Sequence, residues 1–267
     1  MKTIDAVIVD TYPQNALARL AIEKTVQTGL VRRVHTFSTA PIYPGEEFHP
    51  INPIRSTADY SHYLLHIVPY FSNADATLVI QWDGMPHAKE HWDPDFLNYD
   101  YIGAPWGNCD ESVAVGNGGF SLRSRKLMEA LTALKLQCDL ALPDADAEDV
   151  VICKHHRQDI LDKGCVFAPF ALAQKFSTEN SQQMDSFGFH GAFHLPDFLP
   201  EHELLGNCDE VCVRTNKDLF IANFTIACLR NNYSALYSEI IAALKNCGRY
   251  EALQRLFRDR EVPLPGF

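Results

Sequence analysis

Apolar residues run without a break from Ala6 to Val9 and stop at Asp10-Thr11-Tyr12, as in a parallel strand buried on both faces and ending at a polar rim. Leu17, Leu20 and Ala21 follow at helical spacing, with Asn15 as the expected N-cap and Gly29 where a C-terminal cap belongs. Residues 31 to 37 then read as a second strand. This β-α-β opening predicts an open α/β sheet whose ligands lie beyond the carboxyl ends of its strands, so Thr11 and Tyr12 face the expected site.

Pro41, Pro44, Pro50 and Pro53 mark residues 38 to 54 as a surface loop. A helix starts near Ser56 with Tyr60, Leu64 and Ile67 or Val68 on its apolar stripe, and Pro69 disfavours its continuation. Residues 76 to 80 read as a central strand ending in Gln81-Trp82-Asp83-Gly84. Further on, Gly116-Asn117-Gly118-Gly119 leads into a helix striped by Leu127, Leu131 and Leu134, with Ser121 or Ser124 as its cap. A loop at Leu142-Pro143-Asp144 precedes a helix capped by Asp146, whose first turn carries Glu148 and Asp149. Residues 164 to 168 suggest another strand, while 176 to 191 are loop-like. From Pro196 the texture changes: Leu236, Ile240, Ala243 and Leu244, then Leu253, Leu256 and Phe257 on either side of Gly248, predict a helical hairpin. The expected division is a domain at 1–195 and a helical extension at 196–267.

With 46% of 267 residues hydrophobic, the chain can bury one large core, which excludes a disordered protein. A net charge of -11 repels a phosphate backbone and argues against nucleic acid. No apolar run approaches the ~20 residues of a membrane span, and the amino terminus lacks a signal-peptide pattern, so a cytoplasmic location is expected. The eight cysteines are scattered and read as reduced thiols. Cys208, Cys212 and His202 fall short of the paired spacings of a zinc site.

Three glycines in four residues allow close approach to the backbone. The alternatives are a ligand surface and a tight connection that needs glycine for geometry alone. The stretch lacks the Gly-Lys-Ser/Thr of a phosphate loop and the spacing of the dinucleotide fingerprint. Asp83 is an acid at a strand tip, although a turn aspartate before glycine is common. Adjacent acids at 148 and 149 also complement a helix dipole. His190 lies between glycine and aromatic residues, which restricts its geometry.

Five blocks in order resemble a largely uncharacterised bacterial and fungal family of glycosyltransferase-like proteins. They are Gln81-Trp82-Asp83-Gly84, Asp100-Tyr101-Ile102-Gly103-Ala104-Pro105-Trp106, Gly116-Asn117-Gly118-Gly119-Phe120-Ser121-Leu122-Arg123-Ser124, Glu148-Asp149-Val150 and Phe187-Gly188-Phe189-His190-Gly191. The resemblance spans roughly residues 5 to 195 and implies a GT-A-like fold, a Rossmann-like mixed α/β sheet flanked by helices. It implies a glycosyltransferase, of use in polysaccharide biosynthesis, that moves a sugar from a nucleotide-sugar donor to a glycan or lipid-linked acceptor. Asp83 and His190 would hold a divalent cation, Mn²⁺ or Mg²⁺, with Gln81 standing where the usual acidic pair has its first aspartate. Thr11, Tyr12, Arg55, Gln81, Trp82 and Asp83 would meet the donor. A further likeness, to inverting galactosyltransferases, gives Gly118, Gly119 and Glu148 to the acceptor and makes Asp149 the base. Trp106 is suited to stack on a sugar face. The alternatives are a GT-A-like sugar nucleotidyltransferase, whose glycine-rich basic loop is missing from Asp10-Thr11-Tyr12-Pro13-Gln14, and a non-catalytic carbohydrate-binding or assembly protein.

Overall fold

The computed structural model describes residues 2–107, 110–111, 113–142, 144–180 and 184–260. Cys109 and Pro143 lie outside them. The chain packs into two compact units, Met1–His190 and Gly191–Phe267.

The first unit opens with β1 (Ile4–Val9), α1 (Ala16–Gln27) and β2 (Val31–Ser38). All six residues of β1 are buried, because helices cover both faces of a parallel sheet and leave no wet side to alternate with. On α1 the buried stripe is Leu17, Ala18, Ala21, Ile22 and Thr25, one step round from the expected one, so Leu20 is only half-buried. Asn15 occupies the N-cap position without a side-chain capping bond, and Gly29 takes φ +66° just beyond the helix.

The proline-rich segment holds a strand the sequence reading missed, β3 (Glu47–Pro50), which pairs in parallel with β2 at the sheet edge. An edge is where a strand ending in proline is tolerated. The Ser56 hydroxyl accepts from the Asp59 amide at 3.1 Å and starts α2 (Thr57–His62), which runs on through wider and tighter turns to Tyr70. Then come β4 (Ala76–Val79), β5 (Gly84–Pro86), β6 (Tyr101–Gly103) and β7 (Ser121–Ser124).

Here the expectation is corrected: the glycine turn feeds β7 before any helix begins. Ser121 lies inside that strand, and Ser124 caps α3 (Arg125–Leu134) by accepting from the Leu127 amide at 3.1 Å. The large sheet has the order β3-β2-β1-β4-β7-β6, the first four strands parallel and β7 antiparallel to both its neighbours. Asp146 is not a cap. Ala147 occupies that position, and α4 (Glu148–Val150) continues as a π-helical turn over Val151–His155. After α5 (Arg157–Asp162), the expected strand at 164–168 reduces to one bridge from Phe167 to Tyr101. After α6 (Phe170–Phe176), the loop-like stretch supplies β8 (Ser177–Thr178) and β9 (Gly188–His190), which join β5 in a small sheet of order β5-β9-β8.

The second unit is helical: α7 (Leu195–Phe198), α8 (Glu201–Leu204), α9 (Cys208–Arg214), α10 (Asp218–Arg230), α11 (Ser234–Asn246) and α12 (Tyr250–Asp259). The expected hairpin is α11–α12, and both of its helices pack on α10. Leu236, Ile240, Leu244, Leu253 and Phe257 are buried there. Among the described residues no helix is long and apolar enough to cross a membrane.

Candidate active site

At the carboxyl end of β4 the chain reverses in a closed turn, with Gln81 N donating to Gly84 O and Gly84 N to Gln81 O, each at 3.0 Å. This turn lies against the Gly118-Gly119 segment. A Cβ on Gly84 would stand 2.6 Å from the Gly119 carbonyl oxygen. A Cβ on Gly118 would meet the Glu148 carboxylate and come within 2.9 Å of the Asp149 Cβ, while one on Gly119 would run into the His190 ring and reach 2.8 Å from Gln81 Oε1. Gly118 and Gly119 are therefore required for close approach, since neither takes a positive φ. Two successive residues carry two chemically different clusters.

On the Gly118 side the amide donates to Asp149 Oδ2 at 3.0 Å, and the Val150 amide donates to Asp149 Oδ1 at 2.8 Å. Burial, with the neighbouring Glu148 charge, pushes the Asp149 carboxyl up to about 7, against the pull of those amides and Arg123. Glu148 is also buried and accepts from Arg123 Nη2 at 2.6 Å. Arg123 comes from the middle of β7, is 0% exposed, and stays charged because Tyr101 and Glu148 outweigh the effect of burial. Tyr101 closes this layer by donating from its hydroxyl to Gly116 O at 2.7 Å.

On the Gly119 side Gln81 spans two partners. Its Nε2 donates to the Tyr60 hydroxyl at 2.7 Å, and its Oε1 lies 3.1 Å from His190 Nε2. The other ring nitrogen of His190 lies 3.1 Å from Glu179 Oε1, and Asp83 Oδ1 is 3.8 Å from Nε2. Burial alone would lower the imidazole, but Asp83 and Glu179 prevail and push it up to about 9. It then donates from both nitrogens. Asp149 is close enough to add to that shift, so the two clusters share one field.

Gln81, Asp83, Gly118, Gly119, Glu148, Asp149 and His190 are thus brought together. The Thr11 hydroxyl accepts from the Ile54 amide at 2.9 Å, the Tyr12 amide donates to Asp10 Oδ1 at 2.9 Å, and Arg55 lines a cleft of about 540 Å³ with Asn52, Asp59, His62 and Tyr63. Trp82 is half-buried within the turn. Trp106 lies against Gly116, with Lys154 Nζ 4.4 Å from the centre of its ring. The sequence reading missed Tyr60, Arg123 and Glu179. Tyr60 sat on an apolar stripe and read as core, Arg123 followed the glycine turn into an expected helix, and Glu179 lay in loop-like sequence.

Comparisons of fold align 71% of this chain with 93% of a glycosyltransferase involved in the glycosylation of the major capsid of PBCV-1, at 12% identity and a TM-score of 0.46. They also align 70% of it with 86% of the galactosyltransferase LgtC in complex with donor and acceptor sugar analogs, at 13% identity and a TM-score of 0.38. Similarity at that level assigns neither activity nor substrate. No curated protein matches the sequence. Residues 46–190, which include both clusters and the five blocks except for Gly191 at the end of the last, match a family described as "Protein of unknown function (DUF5672)", and the chain belongs to that family.

Proposed function

We propose that this chain is a glycosyltransferase that moves a sugar, with inversion, from a nucleoside-diphosphate sugar to a hydroxyl of a glycan or lipid-linked acceptor. The observation that carries the reading is the Gly118-Gly119 pair. It holds a carboxylate poised near neutral pH on one side and an oxygen-and-imidazole cluster on the other. Those are the two groups such a transfer needs, a base for the hydroxyl and a seat for the leaving diphosphate. The resemblance of the five sequence blocks supports the same reading.

Asp149 takes the proton of the attacking hydroxyl as its oxygen bonds to the anomeric carbon, and the bond from that carbon to the diphosphate oxygen breaks with the electron pair leaving on the diphosphate. The Gly118 amide keeps Oδ2 oriented. Glu148, engaged by Arg123, supports the turn from behind and lies next to Asp149 on the proposed acceptor side.

Among the described residues no three His, Cys, Asp or Glu side chains are grouped to hold a metal. A donor set of fewer such residues still fits, because it leaves positions for diphosphate oxygens and water around Mn²⁺ or Mg²⁺. Glu179 anchors His190 through Nδ1, which turns Nε2 toward the oxygens of Asp83 and Gln81. Asp83 and His190 would hold the cation, which would take the place of the proton on Nε2, since a ligating imidazole nitrogen must be deprotonated. When bound, it would neutralise charge on the departing diphosphate.

Thr11, Tyr12 and Arg55 are the proposed donor contacts beyond β1, and Trp106 the acceptor platform. The test is a thermal-shift screen of UDP, GDP and their sugar conjugates with and without Mn²⁺. Metal-dependent stabilisation by a nucleoside diphosphate is expected, since ligand binding to the native state raises its melting temperature by mass action. Stabilisation by free glycans alone would favour a carbohydrate-binding protein without catalysis.

A further inference from the structure

An amide side chain has one oxygen and one NH₂ group, so its worth beside a cation depends on which end faces inward; a carboxylate has no such choice. At Gln81 two neighbours make that choice. His190 Nε2 faces Oε1 at 3.1 Å, and the Tyr60 hydroxyl accepts from Nε2 at 2.7 Å. Tyr60 reaches the site from α2, whose start is fixed by the Ser56 cap. With Nε2 engaged by the Tyr60 oxygen, Oε1 is the end of the amide turned toward His190.

We propose that Tyr60 is a positioning residue that makes Gln81 an oxygen donor to the divalent cation, beside Asp83 and His190. This rests on the cation seat of the preceding section. The Gln81 Oε1 to His190 Nε2 separation of 3.1 Å is close to the ~3.0 Å between adjacent ligands of an octahedral ion with bonds of ~2.1 Å. A reversed amide would aim its NH₂ at the ion. Gly119 belongs to the same device, because a side chain there would strike both Gln81 Oε1 and the His190 ring.

The experiment is a double-mutant cycle on Mn²⁺ affinity, read from the electron paramagnetic resonance of free Mn²⁺, alone and with UDP or GDP. The proteins are wild type, Tyr60→Phe, Gln81→Glu and the double variant, each checked for an unchanged melting transition. Tyr60→Phe should weaken Mn²⁺ binding about tenfold in the Gln81 protein, a coupling of the size of one oriented hydrogen bond. In the Gln81→Glu background the same change should matter less than about twofold, because the two oxygens of a carboxylate are equivalent. Gln81→Leu, a check that spares Tyr60, should weaken binding at least as much as Tyr60→Phe. Equal losses in both backgrounds, or no loss in the first, overturn the inference while leaving the cation seat intact. Failure of wild type to bind Mn²⁺ under any of these conditions removes the seat itself, and the inference with it.

Discussion

Replacing Glu148 by glutamine keeps the size of the side chain and one oxygen for Arg123, and removes only the charge. Arg123 is 0% exposed and its ion pair with Glu148 is 2.6 Å long. Its other hydrogen-bond and ring partners among the described residues are neutral, Ser121 Oγ at 3.1 Å, Gly118 O at 3.5 Å and the face of Tyr101 at 5.4 Å, and Asp149 is a second acid within its field. With an effective dielectric constant of ~20, charges ~4 Å apart attract by about 4 kcal/mol, and breaking a buried pair from one side costs about 3–5 kcal/mol. The retained amide oxygen puts Glu148→Gln at the lower end, about 3 kcal/mol. Urea unfolding should show this as a lower midpoint at unchanged slope, and the melting temperature should fall by roughly 6–12 °C for a unit of this size. Arg123→Met with Glu148→Leu should recover most of the loss, since it strands no charge. The pH profile supplies a second readout: the Glu148 charge helps push Asp149 up, so Glu148→Gln should move the titration of Asp149 below 7. A single variant costing under about 1 kcal/mol, or a double variant no better than the single, would refute the account of this pair.

Asp149→Asn should preserve the fold and nucleotide binding while lowering turnover by about 10² to 10⁴, the usual contribution of a positioned base, in steady-state assays of nucleoside diphosphate release. For wild type, turnover should rise as pH passes through about 7, where Asp149 becomes the carboxylate; a flat profile from pH 5 to 8 counts against the base. Stability moves the other way. The folded state keeps the Asp149 proton up to about 7 while the unfolded chain loses it near 3.9, so this stabilisation is full below ~3.9 and gone above about 7. Asp149→Asn should flatten that part of the melting-temperature profile. Gly119→Ala puts a methyl group into His190 and Gln81, and should cost about 1–3 kcal/mol by overpacking and abolish Mn²⁺ binding measured by calorimetry. Full-strength binding by that variant would exclude the cluster as a cation seat.

The sequence reading found the parts of the fold that follow from burial. β1, α1 and β4 announce themselves as runs or stripes because a sheet covered on both faces leaves little room for polar residues, while β2, with Arg32, Arg33, His35, Thr36 and Ser38, is legible from its place after α1. β3, β6 and β7 span three or four residues each, too few to establish a period. β7 also carries a fully buried arginine whose partner lies far along the chain, and no local pattern encodes such compensation. The glycines were visible but not their purpose: at Gly118 and Gly119 the space a side chain would fill is taken by Glu148, Asp149, His190 and Gln81 of the same chain. Tyr60 was hidden by its ring, which satisfies the helical stripe while its hydroxyl serves the site.

The order β4-β7-β6 in the large sheet has a consequence for synthesis. β6 leaves the ribosome before β7, yet β7 is the strand that lies between it and β4. Until Ser121–Ser124 emerges, the outer edge of β4 has no native strand to pair with and β6 has no route into the sheet. A nascent chain halted ahead of Ser121 therefore displays an apolar strand edge, the kind of surface that chaperones cover and that associates when left bare. Arrested chains ending just before and just after β7 should differ sharply in protease resistance, and His190, delivered by β9, completes the site only later still.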